Sequence, residues 1–227
     1  MDRLADHGRS RLVIRLIDGL GARVRMICLG AHPDDIEIGA GGTVLRLAAE
    51  NRLLSVRWAV MSGTEPRANE ARTAADRFLA TVDDRRVSVD GFRDGRFPSH
   101  WDTIKDRLEA IAGEGPADLV LVPRRDDWHQ DHRLLGELAW TVFRDHLVLE
   151  YEIPKWDGDL ATPNVYFEVP AWAIERKAQL IVESFPSQAE HDWFAPETFL
   201  SLARLRGIEA HAADHFAEGF HGRKLVL

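Results

Sequence analysis

Apolar residues occur in short runs, separated by longer stretches whose own apolar positions recur at helical spacing. Arg23 to Leu29 reads as a buried strand, and Thr43 to Asn51 carries Val44, Leu47 and Ala48 on one helical face. Leu54 to Val60 alternates as a second strand, ended by Met61-Ser62-Gly63-Thr64. Thr64 is placed to cap the next helix, with Glu65 and Pro66 in its first turn and Ala71, Ala75, Phe78 and Leu79 on its buried face. Val87 to Val89 is a short strand followed by a Gly-rich loop from Asp90 to Pro98. Ser99 then caps a helix marked by Ile104, Leu108 and Ile111, which stops at Gly113. Leu119 to Val122 is another apolar strand, and Leu134, Leu135, Leu138, Val142 and Phe143 mark a helix over 132–145. Strands follow at 147–153 and 165–169, and helices start at Pro170 and Pro196, the second closed by Gly207. The first ten residues read as a loose extension, and Leu12 to Leu20 fits a short helix or an edge strand equally well.

Strands alternating with helices predict an α/β, Rossmann-like fold: a mostly parallel sheet with helices on both faces and an active site at the carboxyl ends of the strands. No Gly-, Pro- or Ser-rich linker and no repeat divides the chain, and 227 residues with 45% hydrophobic content suit one domain over 1–227. The aromatic residues between Tyr151 and Phe199 suggest that this half caps the sheet and shapes a pocket wall.

Composition narrows the function classes. A formal charge of -8 argues against nucleic acid as a partner, because non-specific binding draws on Lys and Arg at phosphates. Cys28 is the only cysteine, so an intrachain disulfide is excluded, and its place in an apolar run makes it inert core. No stretch approaches the roughly 20 apolar residues of a membrane span. Arg15 and Asp18 interrupt the apolar residues near the N-terminus, so no signal-peptide core is expected and a cytoplasmic enzyme is the plain reading. A homo-oligomer is compatible with the sequence but is not read from it.

The chemistry concentrates between Gly30 and Gly42, a strand-to-helix segment holding His32, Asp34, Asp35 and Glu37 with no Lys or Arg among them. Crowded carboxylates call for a cation, and an imidazole beside them calls for a divalent metal. A catalytic zinc takes about three protein ligands, so a second loop must contribute, and His129-Gln130-Asp131-His132 after the 119–122 strand is the obvious supplier.

Ala31-His32-Pro33-Asp34-Asp35, Gly41-Gly42-Thr43 and His129-Gln130-Asp131-His132 together resemble the zinc-dependent N-deacetylases of the PIG-L or LmbE-like family. The likeness extends less sharply through Arg67 to Glu70 and Phe92 to Gly95 to Ala217-Glu218-Gly219-Phe220. It implies His32, Asp35 and His132 as ligands of Zn2+ or another divalent metal, and Asp34 as the base for the attacking water. It implies His129 as the group that steadies the oxyanion or protonates the amine, oriented by Asp131, which is also placed to N-cap the following helix. Arg67 and Asp94 fall where related enzymes contact substrate, and Glu70 is placed to pair with Arg67. Trp128 fits sugar stacking and loop packing equally. The implied substrate is a small-molecule amino-sugar conjugate, an N-acetylglucosamine joined to an aglycone that the motifs leave unnamed.

Two other classes compete. A nucleotide-binding Rossmann domain would explain the glycines, but Gly39, Gly41 and Val44 miss the G-x-G-x-x-G spacing. A catalytically silent binding protein on the same scaffold would be expected to have lost a ligand or the base, and none is missing.

Overall fold

A computed structural model describes residues 21–225, so the readings for residues 1–10 and for Leu12 to Leu20 lie outside the described residues. Strands and helices alternate as β1 (Val24–Gly30), α1 (Asp35–Ala49), β2 (Leu53–Ser62), α2 (Arg67–Phe78), β3 (Arg85–Phe92), α3 (Trp101–Gly113), β4 (Leu119–Pro123), α4 (Gln130–Val142) and β5 (Leu147–Tyr151). β6 (Val165–Glu168), α5 (Ala171–Ser184), α6 (Pro196–Glu209) and β7 (Ala217–Gly222) complete the order. The seven-stranded sheet runs β3-β2-β1-β4-β5-β7-β6. Its first five strands pair in parallel, and β7 is antiparallel to both of its neighbours. The mostly parallel α/β fold expected from the sequence is present.

The period-2 pattern of buried strands assigns the two faces. Val24, Met26 and Cys28 of β1 join Leu119 and Leu121 of β4 in a core closed by α1, α2 and α5. Ile27 and Leu29 join Val120 and Val122 on the other face, closed by Ile104 and Leu108 of α3 and Leu135 and Leu138 of α4. Because α1 and α4 leave the adjacent strands β1 and β4 toward opposite faces, the loops after those strands part. A crevice opens at their carboxyl ends, the usual ligand position in such sheets.

Several boundaries differ from the sequence reading, each for a local reason. α1 starts at Asp35, about two turns ahead of the Thr43 to Asn51 stretch, and the glycines lie inside it because its flank is pressed onto the sheet. A Cβ at Gly39 would sit 2.1 Å from the Tyr151 ring, whose hydroxyl donates to the Leu29 carbonyl at 2.6 Å. Gly39→Ala should therefore cost about 1–3 kcal/mol or more, lowering the melting temperature by roughly 2–4 °C per kcal/mol. An unchanged thermal transition would show that α1 can stand off without cost. Thr64 accepts the Ala68 N–H through its backbone carbonyl, and α2 has no side-chain cap. Ser99 lies in a 3-10 turn, Phe97–His100, so α3 begins after it. Gly207 lies within α6 rather than closing it.

β7 carries no periodic signal, yet it ties the fold together behind the crevice. Glu218 accepts the Gly42 and Thr43 backbone N–H groups at 2.8 and 2.7 Å, and Lys177 of α5 bonds Glu218 and the Ile38 carbonyl, each at 2.6 Å. Both side chains are buried, and each has its charge paired.

Candidate active site

The loop between β1 and α1 is only Ala31 to Asp34, and Asp35 folds it back. One Asp35 carboxylate oxygen accepts the backbone N–H groups of Ala31 and His32, both at 2.8 Å. Asp34 takes a left-handed backbone conformation (φ 99°), which Asp tolerates better than most residues with a Cβ. The neighbouring carboxylates consequently have different partners. Asp35 Oδ1 lies 3.3 Å from His132 Nε2, whereas Asp34 Oδ2 accepts from Arg67 at 3.1 Å. Arg67 also donates to the Pro33 carbonyl at 2.6 Å, and its guanidinium lies over the Phe185 ring.

From β4, the second loop brings His129 and His132 to the first. His32 Nδ1 and His132 Nε2 stand 3.1 Å apart, and His32 Nδ1 lies 3.6 Å from Asp35 Oδ2. His129 N-caps α4, its Nδ1 accepting the Asp131 backbone N–H at 3.3 Å. A third loop, after β3, completes the ring. Asp131 accepts the backbone N–H groups of Gly95 (2.6 Å) and Phe97 (3.0 Å), while Asp94 Oδ1 and Asp131 Oδ2 lie 3.0 and 3.2 Å from His32 Nε2. Ligand-type atoms of His32, His129 and His132 all fall within 4.8 Å of one another, as do those of His32, Asp94, His129 and Asp131.

The structure thus brings all eight sequence-predicted site residues to one sheet edge, with changes of partner. Asp131 was expected to hold His129 through its carboxylate; that carboxylate instead faces His32, and Asp131 reaches His129 through its backbone N–H. His129, not Asp131, caps α4. Glu70 was placed to pair with Arg67, but it bonds Ser187, through the backbone N–H at 2.9 Å and the hydroxyl at 2.6 Å. Glu37 turns inward, fully buried, and burial pushes its carboxyl well above the ordinary range.

Asp127 escaped the sequence reading. Its Oδ2 stands 3.2 Å from His132 Nδ1, an ion-pair distance without hydrogen-bond alignment, and accepts from Lys155 at 2.9 Å. Its Oδ1 accepts the His129 backbone N–H at 2.8 Å. The available signal was a second aspartate pair, Asp126-Asp127, just ahead of the two histidines.

The centre is crowded with carboxylates. Among the described residues, Asp34 pairs with Arg67 and Asp127 with Lys155, but no Lys or Arg pairs with Asp35, Asp94 or Asp131. Burial works against charge on the histidines, yet the carboxylates prevail. Asp131, Asp35 and Asp94 hold His32 well above its usual range, and Asp35 and Asp127 bring His132 to about 9. Burial also pushes the Asp35 carboxyl up, but His132 and His32 outweigh it and hold it well below the usual carboxylate range. Asp34 goes the other way: burial raises it to about 6 against the pull of Arg67. Burial, followed by the charge of His132 and His32, lowers His129.

The chain is similar to known proteins over most of its length. A deacetylase of Escherichia coli K12, YaiS, otherwise uncharacterised, is 28% identical over 151 residues, covering 62% of this chain and 80% of its own. Two solved structures share the fold. The N,N'-diacetylchitobiose deacetylase of Pyrococcus horikoshii has a TM-score of 0.66 at 22% identity, over 88% of this chain and 83% of its own. GalB, the 4-carboxy-2-hydroxymuconate hydratase of Pseudomonas putida, has 0.69 at 17%, over 89% and 98%. Residues 27–143, which carry β1 to α4 and both histidine loops, match the PIG-L family, described as GlcNAc-PI de-N-acetylase, and since they exceed half of the chain, the protein belongs to that family.

Proposed function

We propose that this member of a deacetylase family is a divalent-metal-dependent N-deacetylase, with zinc as the metal. Its substrate is the N-acetyl amide of an N-acetylglucosamine-type sugar or conjugate, and its products are acetate and a free amine. The observation that carries the reading is the convergence of His32 Nδ1 and His132 Nε2, 3.1 Å apart, on the Asp35 carboxylate, whose Oδ1 lies 3.3 Å from His132 Nε2 and whose Oδ2 lies 3.6 Å from His32 Nδ1. A tetrahedral ion with arms of about 2.0–2.2 Å keeps its ligand atoms roughly 3.3–3.6 Å apart. The carboxylates without a Lys or Arg partner supply the charge once the histidines give up their protons, and the raised histidines mark where a cation is favoured. His32, Asp35 and His132 would hold the ion. His129 is left out because its Nδ1 is engaged as the cap of α4. The family description and the chitobiose deacetylase support an amino-sugar substrate.

Held by these three side chains, zinc would supply an acidified water and a polarised amide carbonyl. The chain supplies the rest. Asp34, aimed by Arg67, accepts the proton of the attacking water; a group near 6 is ionised at neutral pH yet basic enough for the task. Because the Asp131 N–H occupies Nδ1 of His129, the neutral ring carries its proton on Nε2, free to donate to the oxyanion or the departing amine. Asp131 and Asp127 orient His32 and His132 through their outer nitrogens. Arg67 and the exposed Asp94 stand ready for substrate hydroxyls.

Acetate release from N-acetylglucosamine conjugates tests the reading. Turnover should fall at least a hundredfold on chelation and return with zinc. A rate indifferent to chelator would remove the metal from the proposal, and no acetate from any conjugate would leave hydration, the reaction named for GalB, as the class to try next.

A further inference from the structure

An aromatic group stands at the rim of the crevice, outside the catalytic set. Trp156 is 74% exposed and Trp128 67%, although burying an indole is ordinarily favourable. The segment carrying Trp156 is strapped to the β4 loop. Lys155 bonds Asp127 at 2.9 Å and Asp159 at 2.8 Å, and Asp159 accepts the Trp128 backbone N–H at 2.8 Å. Trp156 is therefore next in the chain to a residue bonded to Asp127, which itself lies 3.2 Å from His132. From the opposite side, the chain leaving α5 passes Phe185, under Arg67, and Ser187, bonded to Glu70, before reaching His191 and Trp193. His191 and Trp193 stack nearly parallel (10°), and Trp156 stands edge-on to both, at 85° and 86°. Neither neighbour lies flat on the Trp156 indole.

The charge beside Trp156 and Trp193 is one-sided, whereas on the Trp128 side the exposed Arg133 donates to the Asp127 and Trp128 carbonyls. Asp157, Glu190 and Asp192 are exposed beside the rings, and the nearest cation in sequence, Lys155, is committed to Asp127 and Asp159. The Trp156 side of the rim repels phosphate or carboxylate and accepts hydroxyls. An indole held there offers a flat apolar surface to the C–H face of a ring whose edge is polar.

We propose that Trp156, steadied by Trp193 and His191, is a stacking platform for a neutral pyranose ring joined to the N-acetylated sugar. The preferred substrate is then at least a disaccharide with an uncharged second ring, not a sugar bearing an anionic aglycone. Its identification as a substrate subsite rests on the deacetylase reading; the platform as a sugar-binding surface does not.

The test combines isothermal titration with acetate release, using wild type and Trp156→Ala against N,N'-diacetylchitobiose, N-acetylglucosamine and N-acetylglucosamine 1-phosphate. Wild type should bind the disaccharide roughly tenfold more tightly than either single-ring probe. Trp156→Ala should erase that advantage through Kd and KM, leaving kcat and both single-ring affinities unchanged. Equal affinity for all three probes in wild type overturns the proposal, as does an equal loss for all three in the variant. Loss of a dimer in sedimentation with sugar affinity intact would assign the rings to self-association and also overturn it. Disaccharide binding that depends on Trp156, in a protein that releases no acetate, would uphold the platform and refute the deacetylase reading.

Discussion

Asp34→Asn should retain bound zinc and the native fold while losing roughly 10²–10⁴-fold in kcat, the usual contribution of a positioned general base. The substitution is chosen for the backbone as well as the chemistry. Asp34 sits at φ 99°, where Asn is among the few side chains tolerated, so strain cannot imitate a catalytic defect as it would in an alanine variant. Arg67, which bonds Asp34 Oδ2, keeps the Pro33 carbonyl as a second acceptor. The pH profile supplies an independent readout. With its carboxyl raised to about 6 by burial, Asp34 must lose its proton to act, so wild-type activity should decline as pH falls through that region. A nearby divalent cation favours the ionised form, which places the acid limb at or below about 6 rather than above it. That limb should be missing from the residual activity of Asp34→Asn. Retained turnover in the variant, measured as acetate release with zinc content checked, would move the base elsewhere.

The β1 and β4 loops were legible because each histidine motif directly follows a short apolar run, and in a parallel sheet that position is a carboxyl end. β1, β4 and β5 were legible as short apolar runs, the mark of strands buried in a parallel sheet. β2 was legible from its alternation, and β3 only from Val87 to Val89, because its Arg85-Arg86 start and its edge position leave it partly exposed. Pairings within the site were not. Asp131 lies between two histidines in sequence, yet its carboxylate points across the crevice to His32, because it is fixed by backbone N–H groups of the β3 loop at Gly95 and Phe97. Nothing in the spacing of a four-residue motif encodes a neighbour thirty-odd positions earlier. The glycines of α1 misled in the other direction. Gly39 and Gly42 resemble a phosphate loop or a helix start, but they are small because Tyr151, Ile174 and Glu218 press against the helix. β7 was missed because Ala-Glu-Gly-Phe-His-Gly has neither alternation nor β-branched residues; its place is secured by the Glu218 and Lys177 pair rather than by pattern.

His132→Ala and Asp127→Asn should separate holding the metal from aiming the group that holds it. Apparent zinc binding of about 10–16 kcal/mol in four-ligand structural sites amounts to roughly 2.5–4 kcal/mol per ligand, so His132→Ala should weaken zinc by about 10²–10³-fold and abolish acetate release at ordinary metal concentrations. Asp127 touches only the outer nitrogen of His132, and loss of such an orienting carboxylate typically costs about 10–100-fold. Lys155 would lose one partner but keep Asp159, so the β5 loop should stay anchored in the Asp127 variant. Competition with a chromophoric chelator gives both affinities, and circular dichroism establishes that each variant is folded. The pH dependence has a definite sign. In the metal-free protein the surrounding carboxylates keep both His32 and His132 protonated, His132 to about 9, so zinc must displace two protons, and affinity should climb by up to about a hundredfold per pH unit below that value and less steeply above it. Asp127→Asn removes one of the carboxylates that raise His132, so the steeper, two-proton part of the curve should end at lower pH. Zinc affinity equal to wild type in His132→Ala would mean that the ion is held by another set, with His32, Asp94, His129 and Asp131 the next to substitute.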